Sequence, residues 1–142
     1  MDRNVSFIQS ASLASVDYPY ASRVPTGMDL IFLAGACPLD KDGKVAHIND
    51  YELQAKLCVD NLKQALKDSG ASLGNVVYTR VIVATPNRTD LVNTWNMVKR
   101  EFGGHDVPST LYGVTVLGYA DQLVEIEAIA AIDTESERAA SE

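Results

Sequence analysis

The alternation of apolar and polar positions along the 142-residue chain separates strand-like from helix-like segments. Short runs rich in β-branched and apolar residues, bounded by turn residues, are typical of strands. One of these runs, Leu30–Ala36, has no polar side chain and is therefore predicted to be a buried strand. The strands predicted in this way are Val5–Gln9, Ala21–Val24, Leu30–Ala36, Asn75–Ala84, Thr110–Leu117 and Leu123–Ile132.

Two longer segments repeat apolar residues at helical spacing. The first predicted helix spans Tyr51–Asp68 and ends at Gly70. We expect Asn49 to cap its N-terminus, with Glu52 completing a capping box. Cys58 falls on the apolar side and is expected to pack in the core rather than act as a nucleophile. The apolar stripe consists of Leu53, Cys58, Val59, Leu62, Ala65 and Leu66.

The second predicted helix begins after Asn87, which we expect to act as its N-cap, and ends at Gly103-Gly104. Asp90 lies in the first turn, where a carboxylate favours the positive end of the helix dipole. Its apolar stripe is interpreted as core and not as a ligand platform. This stripe consists of Leu91, Trp95, Val98 and Phe102.

The element order is β-β-β-α-β-α-β-β, which predicts an α/β (α+β) domain with a mixed sheet and both helices on one face. Apolar residues alternate on both sides of several strands, so the second face of the sheet must also be covered. We therefore expect a homo-oligomer. Residues 1–132 form one predicted domain, whereas residues 133–142 are polar, charged and non-periodic and are expected to be a disordered acidic tail.

Composition narrows the possible classes of function. The net charge of −7 argues against a nucleic-acid surface, which needs clustered Lys and Arg. Neither Cys37 nor Cys58 belongs to a C-x-x-C pair, and no secretory signal or membrane-length apolar run is visible. We therefore expect a cytoplasmic protein that binds neither nucleic acid nor membranes. His47 and His105 stand far apart without ligands at metal-binding spacing, so no metal is expected.

The last predicted strand carries the clearest candidate chemistry. Glu125 and Glu127 alternate with Ile126 and Ala128, so both carboxylates lie on one face of the strand. One interpretation is a solvated strand face. The other is a carboxylate in an interface cleft that acts as a general acid or base. The chain contains no nucleophile elbow, P-loop or dinucleotide fingerprint that would indicate a different chemistry.

Several fragments of the chain stand in the order of one protein family and near its spacing. The most specific is EIEAIA at its distance after Pro108. Through these fragments the chain resembles the RidA/YjgF reactive-intermediate deaminase superfamily along almost its whole folded length. The fragments are Pro19-Tyr20, Ala34-Gly35-Ala36-Cys37-Pro38, Asn61-Leu62-Lys63-x-x-Leu66, Val92-Asn93, Pro108 and Glu125-Ile126-Glu127-Ala128-Ile129-Ala130.

The resemblance implies a chorismate-mutase-like fold, a homotrimer and a small-molecule pocket at each subunit interface. Enzymes of the family hydrolyse enamines and imines without a cofactor, releasing ammonia and a keto acid. Residue by residue, the resemblance implies catalytic roles for Glu125, which positions water, and for Tyr20. It implies substrate contacts for Gly35 and Asn93. The alternative interpretations are an ordinary packed aromatic for Tyr20 and a structural hydrogen-bonding residue for Asn93.

One position departs from the family pattern. The family motif Pro-x-Arg corresponds to Pro108-Ser109-Thr110, so Thr110 replaces the arginine that clamps the substrate carboxylate. A guanidinium makes two charged hydrogen bonds to a carboxylate, whereas threonine offers one neutral hydroxyl. Two residues further on, Tyr112 adds bulk to the pocket. We therefore expect Thr110 and Tyr112 to contact a substrate that differs from the usual amino-acid-derived imines.

Three other cationic side chains are candidates for the missing clamp. Arg80 lies mid-strand, Arg23 follows the Tyr20 segment, and His105 precedes Pro108. Salt bridges with the plentiful carboxylates are the favoured interpretation of both arginines.

Three functions stay open at this point. The first is cofactor-free hydrolysis of a small enamine or imine, and the second is small-molecule binding or sensing without turnover. The third is the endoribonuclease or translation-inhibitor activity by which the family is sometimes labelled. The acidic charge makes this last function the least attractive, because RNA binding relies on basic side chains.

Overall fold

A four-stranded sheet with two helices on one face organises the fold in the computed structural model, which describes residues 3–134. The elements in chain order are β1 (Ser6–Ile8), β2 (Ala21–Arg23), β3 (Asp29–Phe32), α1 (Tyr51–Asp68), a 3₁₀ turn (Leu73–Asn75), β4 (Val76–Ala84), α2 (Arg88–Phe102), β5 (Ser109–Val114) and β6 (Val124–Ile132). The strand order is β3-β6-β4-β5, with β4 parallel to β5 and the other neighbours antiparallel. The mixed α+β architecture predicted from the sequence is therefore confirmed.

The first two strands form a separate antiparallel pair rather than part of the larger sheet. A side-chain hydrogen bond links this pair to the larger sheet: the Ser22 hydroxyl donates to the Val77 carbonyl at 2.7 Å. Val77 lies where the register of β4 against β6 shifts, between Val76 and Tyr78. A bulge of this kind leaves a backbone group outside the regular ladder, and Ser22 satisfies it.

The cap of α1 differs from the prediction by one residue. Asp50 is the N-cap, and its Oδ1 accepts from the Leu53 N–H at 2.9 Å. Asn49 instead has a left-handed backbone with φ of 65°, which removes it from the capping position. The predicted capping box between Asn49 and Glu52 is therefore wrong, whereas Gly70, with φ of 82°, follows the helix end as predicted.

The buried side of α1 also includes a polar residue that the apolar stripe omits. Gln54 is fully buried, whereas Leu53 and Ala65 are exposed. The Gln54 amide donates to the carbonyls of His47 and Asp121 and accepts from the Leu123 N–H at 2.8 Å. Because all its polar atoms are satisfied, it fixes the segment that leads into β6. The prediction that Cys58 is core is confirmed, since its side chain is fully buried.

The start of α2 is held by a different residue from the one predicted. Asn87 occupies the N-cap position, but its side chain makes no capping hydrogen bond. The Thr85 hydroxyl accepts from the Asn87 N–H at 3.0 Å and donates to Asp90 at 2.8 Å. Gly103 ends the helix in a left-handed conformation, as predicted, with φ of 61°.

The prediction of a buried strand over Leu30–Ala36 is wrong in both length and burial. Strand β3 ends at Phe32, which is 72% exposed, and Leu30 is 49% exposed. The physical reason is that β3 is an edge strand and both side chains point away from the helices. Similarly, β5 ends at Val114 and not at Leu117, because Val114 pairs with the last residue of β4.

The two ends of the described region, residues 3–134, are joined by side-chain contacts. Asp133 accepts hydrogen bonds from the backbone and the guanidinium of Arg3. Residues 135–142, most of the predicted tail, lie outside the described residues. Within residues 3–134, neither helix has the length and apolar character needed to cross a membrane.

Candidate functional site

The central strand β6 presents its two carboxylates on the face of the sheet opposite the helices. Val124, Ile126 and Ala128 are buried, while Glu125 and Glu127 between them are half-buried. The predicted alternation is therefore confirmed.

The segment after β3 runs alongside β6 and reaches the first carboxylate. Ala36 exchanges two backbone hydrogen bonds with Ile126, at 2.7 and 3.1 Å. This pairing continues beyond the last residue of the strand proper and places Gly35 and Cys37 beside Glu125.

Gly35 and Cys37 pack directly on the Glu125 carboxylate. The Cys37 thiol lies 3.0 Å from Glu125 Oε1. A Cβ added to Gly35 would lie 2.6 Å from Glu125 Cδ, so only glycine leaves the carboxyl group its place. Within residues 3–134, the thiol is the only group that hydrogen-bonds this carboxylate. The structure thus brings together two predicted site residues, Gly35 and Glu125, and adds Cys37, to which the sequence analysis assigned no role.

The two cysteines stay protonated at neutral pH for related reasons. Burial, together with the hydrogen bond and the negative charge of Glu125, raises the pKa of Cys37 to about 12. Burial is also the main cause that raises the pKa of Cys58. A neutral thiol beside a carboxylate is a hydrogen-bond donor, which defines the direction of the Cys37–Glu125 contact.

A groove of about 550 Å³ lies at the opposite edge of the sheet and contains two other predicted site residues. Its Tyr20 hydroxyl donates to the Ala14 carbonyl at 2.5 Å, so this proton is engaged within the chain. Trp95 also lines the groove, although it packs against the core as well. The lining residues are Tyr18, Tyr20, Val92, Trp95, Ser109, Thr110 and Leu111.

Of the other predicted substrate contacts, Thr110 lines this groove, whereas Tyr112 and Asn93 are not among its lining residues. Thr110 is half-buried, with its hydroxyl 3.4 Å from the Tyr78 hydroxyl. Tyr112 is 43% exposed on the open face of the sheet. Asn93 is exposed and makes no hydrogen bond with the part of the chain that is described.

The three candidate cations differ in their surroundings. Arg80 lies beside Thr110 in the register of β4 and β5, but it pairs with Glu127 at 3.0 Å. The favoured salt-bridge interpretation of Arg80 is therefore confirmed. His105 Nε2 lies 2.8 Å from the Val76 carbonyl, and its ring packs edge-on against Phe7. Arg23 is exposed on β2.

Glu125 and the Thr110 groove remain apart within one chain. Glu125 pairs with Ile82, which in turn pairs with Tyr112, so two strand spacings of about 4.8 Å separate Glu125 from β5. Thr110 lies two residues further along β5. Among residues 3–134, no three His, Cys, Asp or Glu side chains come together as a metal site.

Comparisons with known proteins identify relatives of this chain. Residues 11–132 match the family described as endoribonuclease L-PSP. A RutC family protein from Pyrococcus abyssi is 32% identical over 112 residues, which cover 79% of this chain and 85% of that protein. The 3-aminoacrylate deaminase RutC from Acinetobacter baylyi is 25% identical over 79% of this chain and 88% of that protein.

The fold is matched by a solved structure of a Rid family protein of unknown function, YyfB from Yersinia pestis. Its TM-score is 0.81, and the match covers 91% of this chain and 99% of that one. The sequence identity is 22%, so this likeness concerns the fold alone.

Proposed function

The chain belongs to the endoribonuclease L-PSP family within the RidA/YjgF superfamily, and from this premise we propose that it is a cofactor-free hydrolase of a small enamine or imine. The observation that carries the proposal is the half-buried Glu125 carboxylate. Cys37 holds its Oε1, and Oε2 has no hydrogen bond to residues 3–134. A carboxylate with one oriented and one free oxygen suits a general base that activates water.

The proposed reaction needs only water and proton transfers. An enamine first takes a proton from solvent on carbon and becomes an iminium ion. Glu125 then removes a proton from water as the water oxygen bonds to the iminium carbon, which gives a neutral carbinolamine. Glu125 returns its proton to the carbinolamine nitrogen, the C–N bond breaks as the hydroxyl proton passes to solvent, and ammonia and a carbonyl compound leave. One water is consumed for each C=N bond, with no change of oxidation state.

The complete site forms between two subunits of a homotrimer. Two features support this part of the proposal. The Thr110 groove and the Glu125 cluster are separated within one chain, and none of residues 3–134 covers the apolar side chains exposed on the open sheet face. In a cyclic assembly, the groove of one subunit would face the carboxylate of its neighbour.

The assembly is testable by sedimentation. We expect the wild-type protein to sediment as a trimer and Phe32→Asp to sediment as a monomer, because Phe32 is 72% exposed on the open face and a charge there opposes burial. Leu53→Asp is the matched control, since Leu53 is 42% exposed on α1, on the other side of the sheet. A stable wild-type monomer would contradict the proposal.

The substrate is proposed to be neutral, or at least to lack an α-carboxylate. Thr110 offers a hydroxyl where the family arginine binds a carboxylate, and Glu127 already neutralises the neighbouring Arg80. The relative from Acinetobacter is named for 3-aminoacrylate, whose enamine nitrogen and carboxylate illustrate the chemistry. We propose that this chain also acts at an enamine nitrogen but that its substrate lacks the carboxylate.

Substituting Thr110 tests this specificity. We expect Thr110→Arg to raise kcat/KM for freshly generated 2-iminopropionate by about 10- to 100-fold. This factor corresponds to the free energy of about 1.5–3 kcal/mol that a charged hydrogen bond contributes. Ammonia release is the measurement. Thr110→Lys is the control for charge without the two-pronged geometry, and its gain should be smaller. Equal rates in wild type and Thr110→Arg would show that the departure at this position does not matter.

The ammonia-release assay also distinguishes the hydrolase from the two alternative functions, ligand binding without turnover and RNA cleavage. Saturable ligand binding without ammonia release would indicate a binding or sensing protein. RNA cleavage is not proposed, because the net charge of −7 opposes binding to phosphates.

A further inference from the structure

The segment that carries Cys37 is firmly held on both sides. Ala36 is paired with Ile126 on the central strand. On the other side, the Asn61 amide on α1 donates to the Cys37 carbonyl at 2.9 Å and to the Leu39 carbonyl at 3.1 Å. The backbone that presents the thiol is therefore fixed independently of the thiol itself.

The thiol has a defined role in the contact with Glu125. Its sulfur lies 3.0 Å from Glu125 Oε1 and 3.5 Å from the Gly35 carbonyl, which are both acceptors, and a hydrogen bond with the Gln122 side chain lowers the pKa of the thiol by less than burial and Glu125 raise it. Because the pKa of Cys37 is raised to about 12, the sulfur keeps its proton and donates it. Gly35 also packs closely against this carboxyl group, since a Cβ added at position 35 would lie 2.6 Å from Glu125 Cδ. The carboxylate is thus confined between a donor and a glycine backbone.

From this geometry we propose that Cys37 is a positioning residue for Glu125. Its S–H hydrogen bond fixes Oε1 and so directs Oε2 towards the water that attacks the substrate. The inference rests on the proposed function of Glu125 and deepens it, since it assigns a task to a residue outside the set implied by the family resemblance. Cys37 itself contacts neither water nor substrate in this scheme and exchanges no electrons.

Kinetics provides the first test. We expect Cys37→Ala to lower kcat for an imine substrate by about 10-fold while KM changes less than 2-fold, because a thiol is a weak donor. Cys37→Ser should recover most of the rate, since a hydroxyl can donate to the same oxygen. Cys58→Ala is the control for losing a buried thiol, because Cys58 is directed at the Val124 carbonyl. Equal losses in Cys37→Ala and Cys37→Ser would overturn the proposal.

Infrared spectroscopy provides a second test that needs no substrate. The S–H stretching band of Cys37 should lie at lower frequency than that of a free thiol, because the proton is shared with a carboxylate. Cys37→Ala assigns the band by removing it, and Glu125→Gln should move it to higher frequency. An unchanged Cys37 band in Glu125→Gln would overturn the proposal, whatever the substrate. If the band is shifted but the protein hydrolyses no imine, the proposed hydrolase function is contradicted. The role of Cys37 in catalysis is then contradicted as well, although its hydrogen bond to Glu125 stands.

Discussion

Replacing Glu125 with glutamine is expected to lower kcat for imine hydrolysis by about 100- to 10,000-fold, the range that general acid–base catalysis contributes. The amide has nearly the same shape as the carboxylate but cannot accept the proton of the attacking water. KM should change little, because the substitution removes a proton acceptor and leaves the groove intact. Ammonia release at saturating substrate measures the effect.

The matched control for this variant lies two residues along the same strand. Glu127 is half-buried on the same face of β6, and its carboxylate pairs with Arg80 rather than with the Cys37 segment. We expect Glu127→Gln to keep kcat within about 3-fold of the wild type, although it frees the neighbouring cation. If both variants lost the same rate, the effect would be one of local charge, and Glu125 would not be the base.

The face of the sheet that carries these carboxylates could be predicted because it depends on local pattern. A strand places successive side chains on opposite faces, so the alternation of Glu125 and Glu127 with apolar residues determined their orientation. The limits of the helices were likewise set by turn residues such as Gly70 and Gly103.

The contact between Cys37 and Glu125 could not be predicted in the same way. The two residues are 88 positions apart, and they meet only because backbone pairing with β6 continues past the end of β3. Gln54 presents the same difficulty, since its three hydrogen bonds close on loops that are remote in the sequence. Contacts of this kind depend on tertiary structure and leave no periodic signal.

Two predictions failed at the surface of the chain because local sequence does not determine the surroundings of a residue. Asn49 and Asp50 are both good capping residues, and only the backbone angle at Asn49 decides between them. The apolar run after Leu30 indicates burial, but a single chain leaves it on an edge strand. That mismatch between apolar sequence and exposed position is what an oligomer would resolve.

Gly35→Ala is expected to abolish most of the activity without unfolding the protein. The new Cβ would lie 2.6 Å from Glu125 Cδ and 2.9 Å from Glu125 Cγ and Oε1, so the carboxylate must swing away from its place. The strand that carries it cannot yield easily, because Val124 and Ile126 are fully buried on either side. A displacement of about 1 Å costs roughly 100-fold in rate, and we expect a loss of kcat of at least that size.

A double-mutant cycle separates this effect from simple damage. If Gly35→Ala acts by displacing Glu125, adding it to Glu125→Gln should lower kcat no further, because the base is already lost. Gly74→Ala is the matched control, since among residues 3–134 its new Cβ would meet only the Ser72 hydroxyl, at 3.8 Å, and it should leave kcat unchanged. Circular dichroism should show the same fold in all variants. A fully active Gly35→Ala would mean that the position of the carboxylate does not matter, and catalysis would have to be sought in another group.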